Sequence, residues 1–382
     1  MNNKKAQIAL VAMFLVFTLS LSVLFFALPK EKFSVSENRY LADAPTVSFK
    51  NFIDGNLTGE LEGDNGGYIP DYFPFRSFFV GVNSYWNYLT GTTVANNYYL
   101  SKDGYIIEKP YITTGLEKNL SVINRFAATF DEVMLMVVPS VGEMMSSKLP
   151  SVHAEYEDAR VFEYISENKA ENIKFLDLRE SFGDCVAGGE QIYYKTDHHW
   201  TSLGAFVAYG YYCDSLGLEY TPKEEYTVTE HPSFYGSTYS GSGYFLAKPD
   251  TLEIWQSEKS KDSIKVSITN EGVTNEYSSP FFEENLKEKD MYTAYLDGIQ
   301  PTVVIENKNA KTDKTLLIVK DSFAQCAAPF FAETYSKVIM IDLRGNKMPV
   351  STLAKTEGAD DVLILYGISA LCNDSGDLPW LR

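Results

Sequence analysis

The sequence predicts an α/β fold: a parallel sheet flanked by helices, interrupted by an irregular, partly β insertion and preceded by one transmembrane helix. Three observations predict it. Short apolar runs such as Leu316–Val319 and Val338–Ile341 alternate with segments of helical periodicity, the rhythm of a parallel sheet covered on both faces. Residues 220 to 312 break that rhythm; they are rich in Tyr, Ser, Thr, Glu and Gly, with alternating runs such as Ile264–Ile268. Ala6 to Leu28 is almost wholly apolar and uncharged.

That first segment is long enough to cross a bilayer with some tilt. Lys4 and Lys5 precede it, and Ala27-Leu28-Pro29-Lys30 closes it without a clear small-x-small cleavage site. A cleaved secretory signal has a shorter apolar stretch, so an uncleaved signal anchor is favoured over a cleaved signal and over a buried core helix. A short basic N-terminus usually stays in the cytoplasm. The expected organisation is a cytoplasmic tip over 1–5, a transmembrane anchor over 6–28, a membrane-proximal lead-in over 29–85, and the main α/β domain over 86–382 on the extracytoplasmic side, with its insertion at about 220–312.

The elements follow in order. After Asp71–Arg76 an aromatic, helix-like stretch runs to about Tyr88. Asp103-Gly104 signals a turn before a short strand at Tyr105–Ile107. Leu116, Leu120, Ile123, Ala127 and Phe130 recur at helical spacing, with Thr113 or Thr114 as cap. Glu132–Val138 reads as a buried strand ended by Pro139, Arg160–Lys169 as helix and Ile173–Leu178 as strand. Thr201 or Ser202 can cap a helix that Gly217 ends near Leu216. Beyond the insertion come a strand at Leu316–Val319, a helix at Phe323–Tyr335, and strands at Val338–Ile341 and Asp361–Tyr366.

Aromatic residues make up 14% of the 382 residues, enough for a substantial core, and the net charge is −18. Such a surface leaves no electrostatic footprint for nucleic acid and repels polyanions at long range. Cys185, Cys213, Cys326 and Cys372 are scattered, without the paired spacing of a zinc or redox site. Cys326 reads as a small core residue.

Two short blocks carry the chemistry. Ser322, in Lys320-Asp321-Ser322-Phe323, stands where a strand ends and a helix begins. There a side chain reaches the carboxyl edge of the sheet, and free helix-start amides can meet a developing oxyanion. A hydroxyl needs an adjacent base to act as nucleophile, and a serine at this position is also an ordinary N-cap. The base is offered by Thr196-Asp197-His198-His199-Trp200. In an extended segment Asp197 and His199 project to one side and His198 to the other. Asp197 then orients His199, which takes the proton of Ser322. A helix-capping loop explains the same triplet without chemistry. A metal site needs further ligands, and His153 and His231 are the only other histidines.

Together, Tyr194–Thr201 and Lys320–Phe323 resemble the DHHW protein family, related to the alginate O-acetyltransferases and more distantly to the SGNH hydrolases. The resemblance implies an SGNH-like domain in which Asp197, His199 and Ser322 are catalytic. The Asp-His block precedes the Ser block, a circular permutation of the SGNH order shared with the alginate enzymes. Lys320 stands where many SGNH hydrolases have Gly, and Trp200 where their Asp-to-His spacing of three would place the histidine. Looser matches at Ser36–Leu41, Asp71–Arg76, Ile341–Arg344 and Val362–Tyr366 place Arg344 and Tyr366 near the substrate. The implied activity is transfer of an acetyl group to an extracytoplasmic polysaccharide or cell-wall glycan, without cofactor or metal. A multispanning membrane acyltransferase is the implied source of the acetyl group. Hydrolysis by the same residues, and a non-catalytic glycan-binding or assembly module, are the alternatives. Tyr235, Tyr239 and Tyr244 of the insertion are candidates to stack on sugar rings.

Overall fold

The computed structural model describes residues 3–37, 39–63, 67–373 and 376–382. Met1 and Asn2 of the expected cytoplasmic tip, Asn38 of the Ser36–Leu41 match and residues 64–66 of the expected lead-in lie outside the described residues. The chain divides into two compact units, residues 1–96 with 240–245 and residues 97–239 with 246–382.

In the first unit, Asn3–Ala27 is one continuous helix. Among the described residues it is the one helix long and apolar enough to cross a membrane, with a mean hydropathy of 2.6 over its most apolar stretch. The predicted aromatic helix forms as Arg76–Leu89. Glu37 receives both Arg39 and Arg76 at 2.8 Å, and the carboxylate of buried Asp71 accepts from both terminal nitrogens of Arg39.

The second unit is built on an eight-stranded sheet. Its strands are β1 (Val133–Val138), β2 (Ile173–Asp177), β3 (Ile264–Asn270), β4 (Val273–Tyr277), β5 (Thr302–Asn307), β6 (Thr312–Lys320), β7 (Tyr335–Asp342) and β8 (Asp361–Gly367). They lie in the order β4-β3-β5-β7-β6-β8-β1-β2. The five strands from β7 to β2 are mutually parallel. All six side chains of β1 are buried, as are the last five of β6, so both faces are covered, as the uninterrupted apolar runs require. Helices Leu116–Ala127 and Asp158–Asn168 cover one face, over a core that includes Val133, Leu135 and Val137 of β1 together with Leu317, Ile339 and Ile364.

One cap expectation needs correction, and the insertion is partly β, as expected. Its strands β3, β4 and β5 pair antiparallel and extend the main sheet beyond β7, while Tyr226–Phe234 and Asp250–Ser257 form a separate antiparallel pair. The period-2 pattern of Ile264–Ile268 shows a strand but carries no information about its partner. Neither Thr113 nor Thr114 caps the helix beginning at Leu116; Gly115 occupies the cap position, and the Thr113 hydroxyl donates instead to Glu157 at 3.0 Å.

By contrast, Thr201 accepts from the Gly204 amide at the start of helix Ser202–Leu216, and Gly217 ends it in the left-handed conformation at φ 65°, as a C-terminal glycine does at low cost. This helix packs its aromatic rings on the wholly buried helix Phe323–Thr334, with Tyr209 and Tyr212 meeting Phe331 edge-on. Cys326 is a core residue, 1% exposed, and the four cysteines are free thiols.

Candidate active site

Strand β6 lies inside the sheet between β7 and β8 and ends at Lys320, so Asp321 and Ser322 emerge at the sheet's carboxyl edge. Ser322 has helical backbone angles and makes no side-chain cap. Asp321 caps instead: its Oδ1 accepts from the Phe323 amide at 3.0 Å and its Oδ2 from the Gly367 amide at 2.7 Å, across the end of β8. A Cβ at Gly367 would lie 2.6 Å from the Phe323 ring, so this close approach requires glycine. Relieved of capping, Ser322 points its hydroxyl at His199. The Phe323 amide is consumed by Asp321, which removes one of the helix-start donors expected to face an oxyanion.

His199 Nε2 accepts from Ser322 Oγ at 2.7 Å, and its Nδ1–H donates to Asp197 Oδ1 at 2.5 Å. The three side chains named from the sequence are thus brought into one hydrogen-bonded line. Asp197 and His199 are buried, and Ser322 is half-buried. Burial opposes the charge on Asp197, but His199, His198 and the amide of Ser237 outweigh it and hold the carboxyl well below the usual carboxylate range. Burial, with His198 adding to it, lowers the His199 pKa to about 4 against the pull of Asp197. At neutral pH the pair is therefore a carboxylate and a neutral imidazole, the protonation states of an oriented general base.

The loop bearing Asp197 bends rather than running extended, which corrects the expected orientation of His198. The His198 ring lies 3.9 Å from that of His199, and its Nδ1 bonds Ser237 Oγ at 2.6 Å. The bend is held from several sides. Tyr193 and Trp200 pair across it, and the Trp200 indole donates to the Phe323 carbonyl at 3.1 Å, tying this loop to the serine turn.

Asp250 accepts at its two oxygens from Gln191 Nε2 and the Lys195 amide, and from the amide and hydroxyl of Thr196 at 2.8 and 2.7 Å. Ser237 donates its amide to Asp197 Oδ2 at 2.6 Å. Gly236 lies so close that a Cβ there would stand 2.3 Å from Asp197. Finally, Tyr292 stacks flat on His199, rings 4.0 Å apart and 8° from parallel, and donates its hydroxyl to the Ser322 carbonyl at 3.2 Å.

Sequence reasoning missed Tyr292, Asp250 and Gly236. Each lies in the insertion, far along the chain from the residue it holds. Tyr292 is one of 26 tyrosines, and Pro249-Asp250 reads only as a turn.

Arg344 follows β7 and holds Asp342 through Nε at 2.8 Å and Nη2 at 2.5 Å. Lys320 reaches the same carboxylate at 2.8 Å from a wholly buried position. Burial lowers the Lys320 pKa and would raise that of Asp342, but Arg344 and Lys320 together hold Asp342 low. The side chain of Arg344 is 41% exposed and its charge is felt at both His199 and Asp321. Burial pushes the Asp321 carboxyl up to about 6 against its two amide donors and those cations.

Tyr366 does not stand where a substrate would meet it. It lies in β8 among core side chains, wholly buried, with its hydroxyl on Asp377 at 3.2 Å. Nor is Tyr244 free for a sugar ring, being wholly buried, whereas Tyr235 and Tyr239 are half-buried and pack on each other at 4.4 Å.

Asp197, His198 and His199 bring potential ligand atoms within 4.8 Å of one another. Both nitrogens of His199 are already engaged, and neither His153 nor His231 joins the group. Next to the Asp-His pair opens a small cleft of about 60 Å³, with His198, Phe323, Gly367, Ser369, Ser140 and Tyr156 in its wall.

The chain is thus an α/β protein whose parallel sheet brings a serine at its carboxyl edge to a buried Asp-His pair. Residues 161–341, which take in both blocks, match the family described as DHHW protein. The resemblance to that family read from Tyr194–Thr201 and Lys320–Phe323 together therefore holds. No curated protein matches the chain. Among solved structures it is similar to a DHHW family protein from Eubacterium siraeum DSM 15702, at 22% identity and a TM-score of 0.63, over 73% of this chain and 93% of that one. It is also similar to Bacillus cereus PatB1 with a sulfonyl adduct, at 22% identity and a TM-score of 0.63, over 74% of this chain and 98% of that one. These likenesses show a shared fold.

Proposed function

We propose that the chain is a serine O-acetyltransferase acting on an extracytoplasmic polysaccharide or cell-wall glycan. The observation that carries this reading is the continuous line from Asp197 through His199 to Ser322. Ser322 Oγ attacks the carbonyl of an acetyl donor while its proton passes to His199 Nε2. The leaving group departs with that proton, and an acetyl-serine remains. A sugar hydroxyl then attacks the acetyl carbonyl, gives its proton to His199, and Ser322 regains a proton as the ester bond to the enzyme breaks. Asp197 stays ionised throughout and stabilises the transient imidazolium.

The small cleft beside His198 and Phe323 receives the acetyl group in this reading. On this reading Arg344 lies within electrostatic reach of the negative charge that develops at the acetyl oxygen. The N-terminal helix anchors the catalytic unit outside the cell, and a multispanning membrane acyltransferase supplies the acetyl group.

The test is to give the full chain, in detergent, an activated acetyl ester carrying a heavy-isotope acetyl group, together with cell-wall and exopolysaccharide fragments. Isotope found on a glycan hydroxyl, dependent on Ser322, is the expected result. Acetate released with no labelled glycan in any acceptor series would replace transfer by hydrolysis. Neither product from folded protein would move the reading to a binding module.

A further inference from the structure

The helix Arg76–Leu89 is amphipathic in the reverse of the usual sense. Its buried residues are Gly81 and Ser84. Gly81 lies so close to the Phe245 ring that a Cβ would overlap it, and Ser84 donates to the Ser242 carbonyl at 2.8 Å. The opposite face carries Phe78, Phe79, Val82, Trp86 and Leu89, which at 3.6 residues per turn share a stripe about 100° wide. All five are exposed, Trp86 by 65% and Leu89 by 78%. Val47, Phe49, Phe52 and Ile53 are exposed as well. Among the described residues from 3 to 96, the buried apolar side chains are limited to Pro74 and Ala95. A contiguous apolar face that the protein does not cover marks an interaction site.

The position of the face relative to the N-terminal helix selects its occupant. One groove is lined both by Leu28, Pro29 and Lys30, just past the end of that helix, and by Phe73, Phe75 and Phe78. Tyr68 packs on Phe25 within the helix at 6.1 Å, and the Lys30 ammonium lies 4.0 Å from the Phe25 ring centroid. The start of the aromatic helix is thus held beside the point where a spanning helix leaves the bilayer. Aromatic residues flanked by lysines are the composition of a membrane interface.

We infer that the face formed by Phe78, Phe79, Val82, Trp86 and Leu89 seats on the lipid surface of the membrane that Asn3–Ala27 crosses. The occupant is the outer part of the lipid layer, and the second contact gives the single span a fixed orientation toward the surface.

The test uses the full chain in phosphatidylcholine–phosphatidylglycerol vesicles with acyl chains brominated near the headgroup. Emission of the parent is compared with that of Trp86→Phe, which isolates Trp86 from the buried Trp200 and Trp255 and from Trp380. The expected result is a blue-shifted Trp86 component, most of which bromine quenches and aqueous acrylamide does not. A Trp86 component that acrylamide quenches and bromine does not would overturn the inference. So would shielding that arises only when a second membrane protein is added, which would assign the face to a protein. Failure of the chain to float with the vesicles would overturn it at an earlier step, by removing the span itself.

Discussion

Replacing Asp250 with alanine tests how the loop bearing Asp197 and His199 is held. Asp250 is 5% exposed and receives four donor groups: Gln191 Nε2, the Lys195 amide, and the amide and hydroxyl of Thr196. Gln191 sits at the edge and can turn to water. The remaining three lose a charged acceptor at about 1 kcal/mol or somewhat more each, so Asp250→Ala is expected to cost roughly 3 to 4 kcal/mol. That is a large share of a typical domain stability of about 5–15 kcal/mol, yet leaves a folded protein. Thr196 directly precedes Asp197, so the loop shifts with it. A displacement of about 1 Å lowers the rate of Ser322 acylation by roughly 100-fold. Urea denaturation gives the first quantity and acylation by an activated acetyl ester the second. Asp250→Asn, which keeps one acceptor oxygen, is expected to fall between the two. An alanine variant within about 0.5 kcal/mol of the parent, acylating at the parental rate, would refute the argument.

Three further outcomes follow from the same geometry. Gly236→Ala places a methyl group 2.3 Å from Asp197, so acylation is expected to drop by about two orders of magnitude while Ser322 remains in place; unchanged acylation would show that the loop yields. Ser322→Ala is expected to change stability by less than about 1 kcal/mol, because Asp321 does the capping, and a larger loss in urea would return the capping role to Ser322.

Acylation depends on neutral His199, whose pKa is about 4, so a pH–rate profile should stay level from pH 8 to about 5 and fall through 4; a midpoint near 6.5 would contradict the buried, neutral imidazole. This dependence is to be read in rate rather than stability. His199 has a folded pKa below its ordinary value of 6.5, so its contribution is present above 6.5 and is lost as pH falls through 4. Asp321 has a folded pKa raised from 3.8 to about 6, so its contribution is present below 3.8 and is lost as pH rises through 6. Each is worth roughly 3 kcal/mol, and between pH 4 and 6 the two changes have opposite signs.

The legible parts of the sequence were those written locally. Val133–Val138 and Leu316–Val319 are uninterrupted apolar runs, and such runs mean strands buried on both faces. Thr201 and Gly217 bracket their helix with ordinary cap chemistry. Asp197 and His199 were found because both lie in one pentapeptide, and Ser322 because a strand-to-helix turn follows a clear apolar run.

What could not be read was pairing over distance. Nothing in Ile264–Asn270 says that it joins the main sheet through Thr302–Asn307, because an alternating strand offers the same pattern to any partner. The Tyr292 stack on His199 and the Asp250 clasp on Thr196 are likewise made by tertiary geometry. Tyr366 was misplaced for a related reason: a tyrosine near the end of a strand can face a cleft or a core, and only the register of β8 decides. Ser322 shows the opposite case. Its local setting suggested a cap, and a longer-range bond to His199 prevailed because the preceding Asp321 satisfies the helix start.

The measurement that bears most directly on the central claim is the intact mass of the full chain after exposure to an activated acetyl ester or a sulfonyl fluoride, with the adduct mapped by peptide fragmentation. The account predicts one adduct, on Ser322, absent from Ser322→Ala and strongly slowed in His199→Ala. An adduct on another residue, or one on Ser322 that forms at the same rate without His199, would contradict it.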